Sequence, residues 1–249
     1  ILMFGLLARK IYQYWTTPAP LKIPTTPAPK TKGGVVLRMA KEVIFFAALF
    51  RATKWTWLFG WMFHVGLALA FIRHLRYVIP PDGALGFMWP LINNEIVQSF
   101  GKYAGFAIAI GLLGLLARRI FVARVRYISA PSDYLMLLLI LFIAISGLIM
   151  SFVAHIDVIQ LKQFMLSIFV FDWKELPVSG PLLIHLGLAM VLMAVLPISK
   201  LLHIPGVFFS PSRNQVDNPR EKRHIADWAR KYDETRGSDK HAAAAQAQR

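Results

Sequence analysis

Long apolar stretches alternate with short polar and basic segments along the 249-residue chain. A helix of about 20 apolar residues is long enough to cross a hydrocarbon core of about 30 Å. The pattern predicts four full membrane-spanning helices, at residues 55–79, 101–122, 132–154 and 181–203. The apolar residues 1–15 are too short to span, and we interpret them as the cytoplasmic end of a first, truncated helix. The predicted fold is an all-α integral membrane protein, a bundle of five transmembrane helices.

Segments outside the spans differ from them in composition. Residues 16–34 are rich in Pro and Thr and cannot form a regular helix, whereas 35–54 predict an interfacial helix, so that 16–54 form a cytoplasmic connector. Residues 156–175 are apolar but carry charges at both ends, which favours a second interfacial helix over a further span. Residues 206–249 are polar and basic, and predict a cytoplasmic tail with a disordered end.

The net charge of +15 is distributed unevenly among the loops. Twenty Lys and Arg residues lie in 16–54, 117–134 and 204–249, and two lie in 80–100 and 155–180. Because basic loops stay in the cytoplasm, the count predicts a bacterial inner-membrane protein with a periplasmic amino terminus and a cytoplasmic tail. The charge follows this loop pattern, so it does not indicate nucleic-acid binding. The absence of cysteine excludes thiolate ligands and iron–sulfur clusters built by this chain.

Four of the seven histidines, His64, His74, His185 and His203, lie within the predicted spans. A polar side chain in hydrocarbon costs a few kcal/mol, so these residues require specific partners. The two helices that carry them run antiparallel, so depth pairs His64 with His203 near the cytoplasm and His74 with His185 toward the outside. On continuous helices, His185 and His203 would be about 27 Å apart along their helix, and His64 and His74 about 15 Å apart along theirs. The mean of these two separations, near 20 Å, fits two stacked haems better than one shared metal ion.

Paired neutral imidazoles from facing helices ligate b-type haem in helical bundles. The pattern therefore predicts two b-type haems between the second and fifth helices, within a four-helix dihaem membrane domain at 55–205. Gly66 and Gly187 each follow a candidate ligand by two residues, and a missing side chain there would let a porphyrin lie close to the backbone.

Two other functions fit parts of this pattern. Membrane histidines often join helices by hydrogen bonds, so a haem-free membrane anchor with packing histidines is an alternative from a different class. A transition-metal transporter would also use membrane histidines, but usually beside carboxylates. The interiors of the predicted spans contain no Asp or Glu.

Further charged residues near the outer face are candidates for binding. Arg73 and Arg76 are candidate partners of the propionates of the outer haem, since guanidinium groups pair with carboxylates; snorkelling to lipid headgroups is the alternative. Quinone chemistry moves protons with electrons, and Glu95 in the loop 80–100 is the candidate proton acceptor. An ordinary interfacial carboxylate is the other interpretation of Glu95.

Two segments carry a family resemblance. FHVGLALAFIRH (63–74) and IHLGLAMVLMAVLPISKLLHI (184–204) resemble the paired motifs of the gamma subunit of respiratory nitrate reductase, a five-helix dihaem cytochrome b. The resemblance extends from the start of the chain to about residue 205. It implies His64 and His203 as iron ligands of the cytoplasm-side haem, and His74 and His185 as those of the outer haem.

The Pro-rich segment 16–34 and the tail HIPGVFFSPSRNQVDNPREKRH (203–224) are more similar to the DsrM family, membrane subunits of the Dsr complex of sulfur metabolism. This resemblance implies a quinone-reactive subunit that works with menaquinone or ubiquinone and is not catalytic alone on the sulfur substrate. It implies a cytoplasmic DsrK-like iron–sulfur partner related to heterodisulfide reductase, and further membrane and periplasmic subunits. A respiratory nitrate reductase gamma subunit is the alternative.

The tail has a mixed composition. Residues 206–241 hold eight Lys and Arg, six acidic residues, and the aromatic residues Phe208, Phe209 and Trp228. A lipid-binding polybasic segment would carry few acids, and aromatic side chains are common anchors on protein surfaces. The tail therefore predicts that 206–235 docks the iron–sulfur subunit; a solvated tail near anionic lipid is the alternative.

Overall fold

The computed structural model describes residues 2–18, 23–210, 212–218 and 229–237, and within these ranges all regular structure is helical. The α-helices are α1 (Leu2–Thr16), α2 (Lys32–Phe45), α3 (Ala47–Ala52), α4 (Lys54–His74), α5 (Trp89–Ile92), α6 (Glu95–Phe121), α7 (Ala123–Tyr127), α8 (Pro131–Phe152), α9 (Val158–Val170), α10 (Gly180–Val195) and α11 (His203–Gly206), followed by a helical stretch at 229–237. Short 3-10 turns occur at Leu75–Tyr77, Gly86–Met88, Leu196–Ile198, Lys200–Leu202 and Val207–Phe209. The predicted disordered end of the tail and Trp228 lie outside the described residues.

Within the described residues, four helical segments are long and apolar enough to cross a membrane: Lys54–Tyr77, Glu95–Phe121, Pro131–Phe152 and Gly180–Ile198. Each predicted full span is confirmed as a helical segment of membrane-spanning length, although the last one ends at Ile198 and not at residue 203. The second begins at Glu95, six residues before its predicted start. Asn94 explains the earlier start because its side-chain oxygen accepts a hydrogen bond from the Ile96 N–H at 2.9 Å, which caps the helix.

The last span is not one continuous helix as predicted for 181–203. Regular α-helix ends at Val195 and a 3-10 turn follows, with an extended backbone at Ser199 (φ −105°, ψ 173°). Pro197 explains the break, because proline lacks an N–H and its ring clashes with the preceding helical turn. The rise of about 27 Å that a continuous helix would give between His185 and His203 is therefore wrong.

The predicted interfacial segments are helical but shorter than predicted. The segment 35–54 contains α3 and most of α2, separated at Phe46 by a left-handed backbone (φ 50°). Because α2 begins at Lys32, after the last proline of the connector, the prediction that no regular helix forms in 16–34 is wrong for residues 32–34. The apolar segment 156–175 contains the 13-residue α9, which is shorter than a membrane span. The interfacial position of these helices stays a prediction.

The chain divides into two compact units. Residues Phe45–Val195 form one of them, in which α4 packs most extensively on α6, and α6 and α10 pack on α8. Phe63, Ile108, Leu112, Leu141 and Ala144 form its buried core. Elsewhere the spans expose large apolar side chains, as helices that face lipid do.

Glycine allows α4 and α6 to approach closely. A Cβ at Gly66 would lie 3.0 Å from the carbonyl oxygen of Ala104 and 3.0 Å from a side-chain carbon of Ile108. The interpretation of Gly66 as room for a porphyrin is therefore wrong, because its open side is filled by α6. Residues two positions apart on a helix point in different directions, so Gly66 does not share the face of His64. A Cβ at Gly187 would meet nothing within 4 Å, and its role stays a prediction.

A buried carboxylate joins α6 to the start of α8. Asp133 is only 7% exposed, and it accepts hydrogen bonds from the Ala130 N–H at 3.1 Å and from Arg119 at 3.4 Å. Arg119 also donates to Ser129 Oγ at 2.7 Å. These bonds cap α8 and hold the basic turn between the two spans.

The other unit contains Ile1–Ile44 and Leu196–Arg249. In it, the Pro-rich connector and the start of the tail bind each other. The Thr25 N–H donates to Ser212 O at 3.0 Å, and the Asp217 N–H donates to Pro29 O at 2.8 Å. Arg213 adds an ion pair to Glu42 at 3.6 Å. The two segments that carry the DsrM resemblance therefore form one structure, which we call the connector–tail platform (23–31 with 212–218).

Candidate cofactor-binding histidines

His74 on α4 and His185 on α10 lie side by side, although α6 and α8 separate their helices along the chain. Their ring centroids are 6.3 Å apart and their planes are 15° from parallel. A metal ion bonded to one nitrogen of each ring at about 2 Å would separate the ring centres by roughly 6 Å. The observed distance therefore fits two imidazoles on opposite sides of one haem iron.

The hydrogen bonds of His185 determine which of its nitrogens can bind a metal. Its Nδ1 lies 2.9 Å from Ser146 Oγ on α8, and the Ser146 hydroxyl lies 2.9 Å from the carbonyl oxygen of Ile143. The hydroxyl donates its single proton to that carbonyl, so Oγ accepts from His185 and Nδ1 carries the hydrogen. The lone pair of the neutral ring is then on Nε2, the nitrogen that would bind iron.

His74 has the same tautomer for a simpler reason. Its Nδ1 lies 2.6 Å from the carbonyl oxygen of Ala70, one turn earlier in α4. A carbonyl can only accept, so Nδ1 donates and the lone pair is on Nε2. Both members of the pair therefore present the nitrogen required for two-histidine ligation.

His64 is in the same unit, at the middle of α4. Its Nδ1 donates to the Gly60 carbonyl oxygen at 2.7 Å, which again leaves the lone pair on Nε2. The rings of Phe46 and Phe63 lie 4.9 Å and 4.7 Å from the imidazole, centroid to centroid. Together these contacts define the orientation of the ring.

His203 belongs to the other unit and is described by itself. Its Nδ1 donates to the Lys200 carbonyl oxygen at 3.0 Å, so it has the same tautomer as the other three. It lines an open pocket of about 500 Å³. The pocket is also lined by Tyr14, Ser199, Lys200, Leu202, Gly206, Phe209 and Ser210. The pairing of His64 with His203 stays a prediction.

Arg73 and Arg76 meet at Gln98 near the start of α6. Arg73 donates to the Gln98 carbonyl oxygen at 3.1 Å, and Arg76 donates to its side-chain oxygen at 2.9 Å. The Gln98 amide in turn donates to the Ile92 carbonyl oxygen at 2.6 Å. Neither guanidinium has an acidic partner among the described residues. The two positive charges are thus held close to the His74 end of α4 without a neutralising carboxylate.

Glu95 is the first residue of α6 and is exposed. The neighbouring Asn94 caps the helix and Trp89 begins α5, so the predicted polar loop is largely helical. Lys162 of α9 lies over the Trp89 ring, with its nitrogen 4.8 Å from the ring centroid. The loop 80–100 therefore presents an aromatic ring and a carboxylate, and the cation over the ring comes from α9; the structure shows no bond between Glu95 and either of them.

Sequence reasoning missed Ser146 and Gln98. Ser146 is 6% exposed within the apolar helix α8, and a single hydroxyl in such a helix signals a polar partner that has to be found elsewhere. Gln98 lies in the loop region 80–100 as predicted from sequence, where a polar residue carries no comparable signal.

These features define a class of protein. The part of the chain that the structure describes is helical, with four segments able to cross a membrane and a facing pair of histidines in two of them, as in cytochromes b. Residues 48–217 match the model of the nitrate reductase gamma subunit family, and the chain belongs to that family.

Relatives of the chain come from archaea and bacteria. It is 33% identical to the "Hdr-like menaquinol oxidoreductase cytochrome b-like subunit" of Archaeoglobus fulgidus, over 92% of this chain and 80% of the relative. The protein of the same description from Archaeoglobus profundus is 32% identical over 92% of this chain and 79% of its own length. The nitrate reductase gamma chain of Bacillus subtilis is 36% identical over 36% of this chain and 42% of its own length. These relatives are subunits of redox complexes, and their similarity is consistent with a DsrM-like protein.

Proposed function

We propose that this chain is a dihaem cytochrome b subunit that transfers electrons between membrane quinone and a cytoplasmic iron–sulfur subunit. The facing rings of His74 and His185 carry this proposal, because their 6.3 Å separation and shared tautomer would let both imidazoles hold one haem iron through Nε2. Bound haem supplies reversible one-electron transfer. The residues of this chain hold it, orient it and set its surroundings.

The second haem is assigned to His64 and His203. Each donates Nδ1–H to a carbonyl oxygen three or four residues earlier, which is the arrangement also found at His74. The rings of His74 and His185 lie side by side, yet their hydrogen bonds go to Ala70 and Ser146 and not to each other, so a shared iron explains their approach better than a hydrogen bond between helices does. This argument disfavours the haem-free anchor.

Arg73 and Arg76 are proposed to bind the propionates of the haem ligated by His74. Gln98 holds both guanidinium groups, and each keeps further N–H donors beyond its one bond. Two cations at one place on the membrane boundary are stabilised when a carboxylate group joins them. Snorkelling to lipid headgroups would not require both to converge on Gln98.

Quinone is proposed to bind near the loop 80–100. Oxidation of a quinol releases two electrons and two protons, so the site needs proton acceptors close to a haem. Glu95 is an exposed carboxylate in this loop, at the start of α6, and is proposed to accept one proton. The names of the two Archaeoglobus relatives favour menaquinone as the quinone.

The partner is proposed to be a DsrK-like iron–sulfur subunit, in a complex of sulfur metabolism that includes further membrane and periplasmic subunits. The relatives described as Hdr-like support this choice over a nitrate reductase complex, because their match covers far more of this chain. The connector–tail platform supports a docking role for the tail, since hydrogen bonds and an ion pair hold the base of the tail in a defined place.

The haem proposal is tested by absorption spectroscopy of the purified chain. Reduced b-type bands with two haems per chain are expected, and a colourless protein would contradict the haem proposal.

Docking of the iron–sulfur subunit by the tail is tested by two deletions. Removing 219–249 keeps the platform, whereas removing 212–249 also removes its bonds to the connector. Both truncated chains should keep two haems and lose the iron–sulfur subunit. Co-purification of that subunit at full yield with both would contradict docking by the tail.

A further inference from the structure

Phe46 has an unusual backbone for an aromatic residue. It lies between α2 and α3 with φ 50° and ψ 47°, in the left-handed region. A residue with a Cβ pays about 1–2 kcal/mol in this region, whereas glycine pays little. Such strain persists only when the surrounding structure holds it, and it is concentrated at functional sites.

The structure around Phe46 holds the strained turn in place. The break leaves the Phe45 carbonyl at the end of α2, and the Trp57 indole N–H of α4 donates to it at 2.8 Å. After the turn, the Phe50 ring of α3 lies 4.8 Å from the Trp57 ring, edge to face. Trp57 thus fixes both sides of the turn to the start of α4.

The turn brings the Phe46 ring to His64. The two ring centroids are 4.9 Å apart with planes at 90°, an edge-to-face contact. The Gly60 carbonyl holds Nδ1 of the same imidazole at 2.7 Å. The hydrogen bond sets the tautomer, and the aromatic ring restricts rotation of the imidazole about that bond.

We propose that Phe46 is a positioning residue for His64. Its ring fixes the plane of the imidazole and keeps water from it, and through His64 it sets the reduction potential of the haem that His64 binds. The proposal rests on the proposed function, in which His64 is an axial ligand. This role explains why position 46 is a phenylalanine, although glycine would adopt the same left-handed backbone at a lower energetic cost.

The expected effect follows from electrostatics. The oxidised haem iron carries one more positive charge than the reduced form, so water near its ligand favours the oxidised form. Solvent exposure and interactions of the axial ligand are established determinants of haem potential. Removal of the ring should therefore lower the midpoint potential of one haem and leave the other unchanged.

Phe171 provides a matched control. Among the described non-glycine residues, Phe46 and Phe171 are the two with positive φ, and Phe171 has φ 56°. Phe171 follows the last residue of α9, and it is 79% exposed. Its ring contact is with Trp173, at 6.4 Å, and not with a histidine. Phe171→Leu thus tests the loss of an aromatic ring at a left-handed turn without an imidazole beside it.

The experiment combines redox titration with electron paramagnetic resonance of the purified full-length chain. His64→Ala identifies the haem that belongs to His64. Phe46→Leu should lower the midpoint potential of that haem and shift its low-spin signal, with both haems still bound. Phe46→Tyr, which keeps an aromatic ring, should retain the midpoint potential and the low-spin signal of the unmodified chain. Phe171→Leu should change neither property.

Phe46→Gly covers the case in which Phe46→Leu does not accumulate, because glycine removes the ring and also relieves the left-handed backbone. An unchanged potential and signal in the Phe46 variants would overturn the positioning role, as would an equal shift in Phe171→Leu. Failure of the proposed function has a different signature: His64→Ala would then retain the full haem content of the unmodified chain, whatever the Phe46 variants do.

Discussion

Ser146 accepts a hydrogen bond from Nδ1 of His185 across 2.9 Å, and its own proton is directed to the Ile143 carbonyl. This bond joins α8 to α10 and determines the tautomer of the ligand candidate. Partners of this kind raise the basicity of a ligating histidine and hold its ring in place.

Ser146→Ala should therefore weaken haem binding at His185. Loss of such a partner typically costs about 10–100-fold in metal affinity, so one of the two haems should dissociate on dilution or during purification. Haem content per chain, measured by absorption, checks this. Ser167→Ala is the control, because Ser167 is similarly buried but its hydroxyl donates to the Phe164 carbonyl and accepts from the Lys174 N–H, with no histidine among these partners. Equal haem content in both variants would contradict the prediction.

Single histidine substitutions should separate the two haems. His74→Ala and His185→Ala are expected to remove the same haem, since their rings face each other. His64→Ala and His203→Ala are expected to remove the other. Haem content should fall from two to one per chain in each case, with a different redox midpoint lost in the two groups. His155→Ala, an exposed histidine beyond α8, should keep both haems. Loss of one common haem by His64→Ala and His74→Ala would refute the pairing.

Gly66 and Gly187 should respond differently to an added methyl group. Gly66→Ala forces the Ala104 carbonyl and Ile108 away from α4, and overpacking of this kind costs about 1–3 kcal/mol of stability. Gly187→Ala meets open space, and alanine favours helix by about 0.5–1 kcal/mol over glycine. Thermal unfolding in detergent should show a lower midpoint for the first variant and an equal or higher one for the second. An unchanged midpoint for Gly66→Ala would contradict this account of the packing.

We expect the ion pairs Arg119–Asp133 and Lys174–Asp172 to contribute differently to the free energy of unfolding. Asp133→Ala removes a buried carboxylate that Arg119 and the Ala130 N–H both use, and should cost about 1–3 kcal/mol. Asp172→Ala removes a partner of Lys174 at 3.0 Å, but both side chains are more than half exposed, so it should cost about 0–1 kcal/mol. Unfolding of the two variants side by side, under the same conditions, measures the difference. Equal losses would show that the Asp133 cluster does not hold the turn between α6 and α8.

Much of the fold follows from local sequence properties. Apolar runs of membrane length predicted the four spanning helices, because hydrocarbon admits a backbone only when its own groups satisfy its hydrogen bonds. The ends of the helices were harder to predict from the sequence. The start of α6 depends on the Asn94 cap, and the end of α10 on Pro197, signals that hydropathy does not contain.

The membrane histidines were visible in the sequence because a polar side chain is costly in an apolar span, and their order along antiparallel helices was enough to predict that His74 and His185 meet. The sequence alone also determined the class of protein, since length, hydropathy and the absence of cysteine are properties of the chain and not of its packing. Only the tertiary structure decided what surrounds each histidine. Ser146, the Phe46 ring and the α6 backbone at Gly66 come from other elements, and no local pattern specifies which side chains three packed helices bring together.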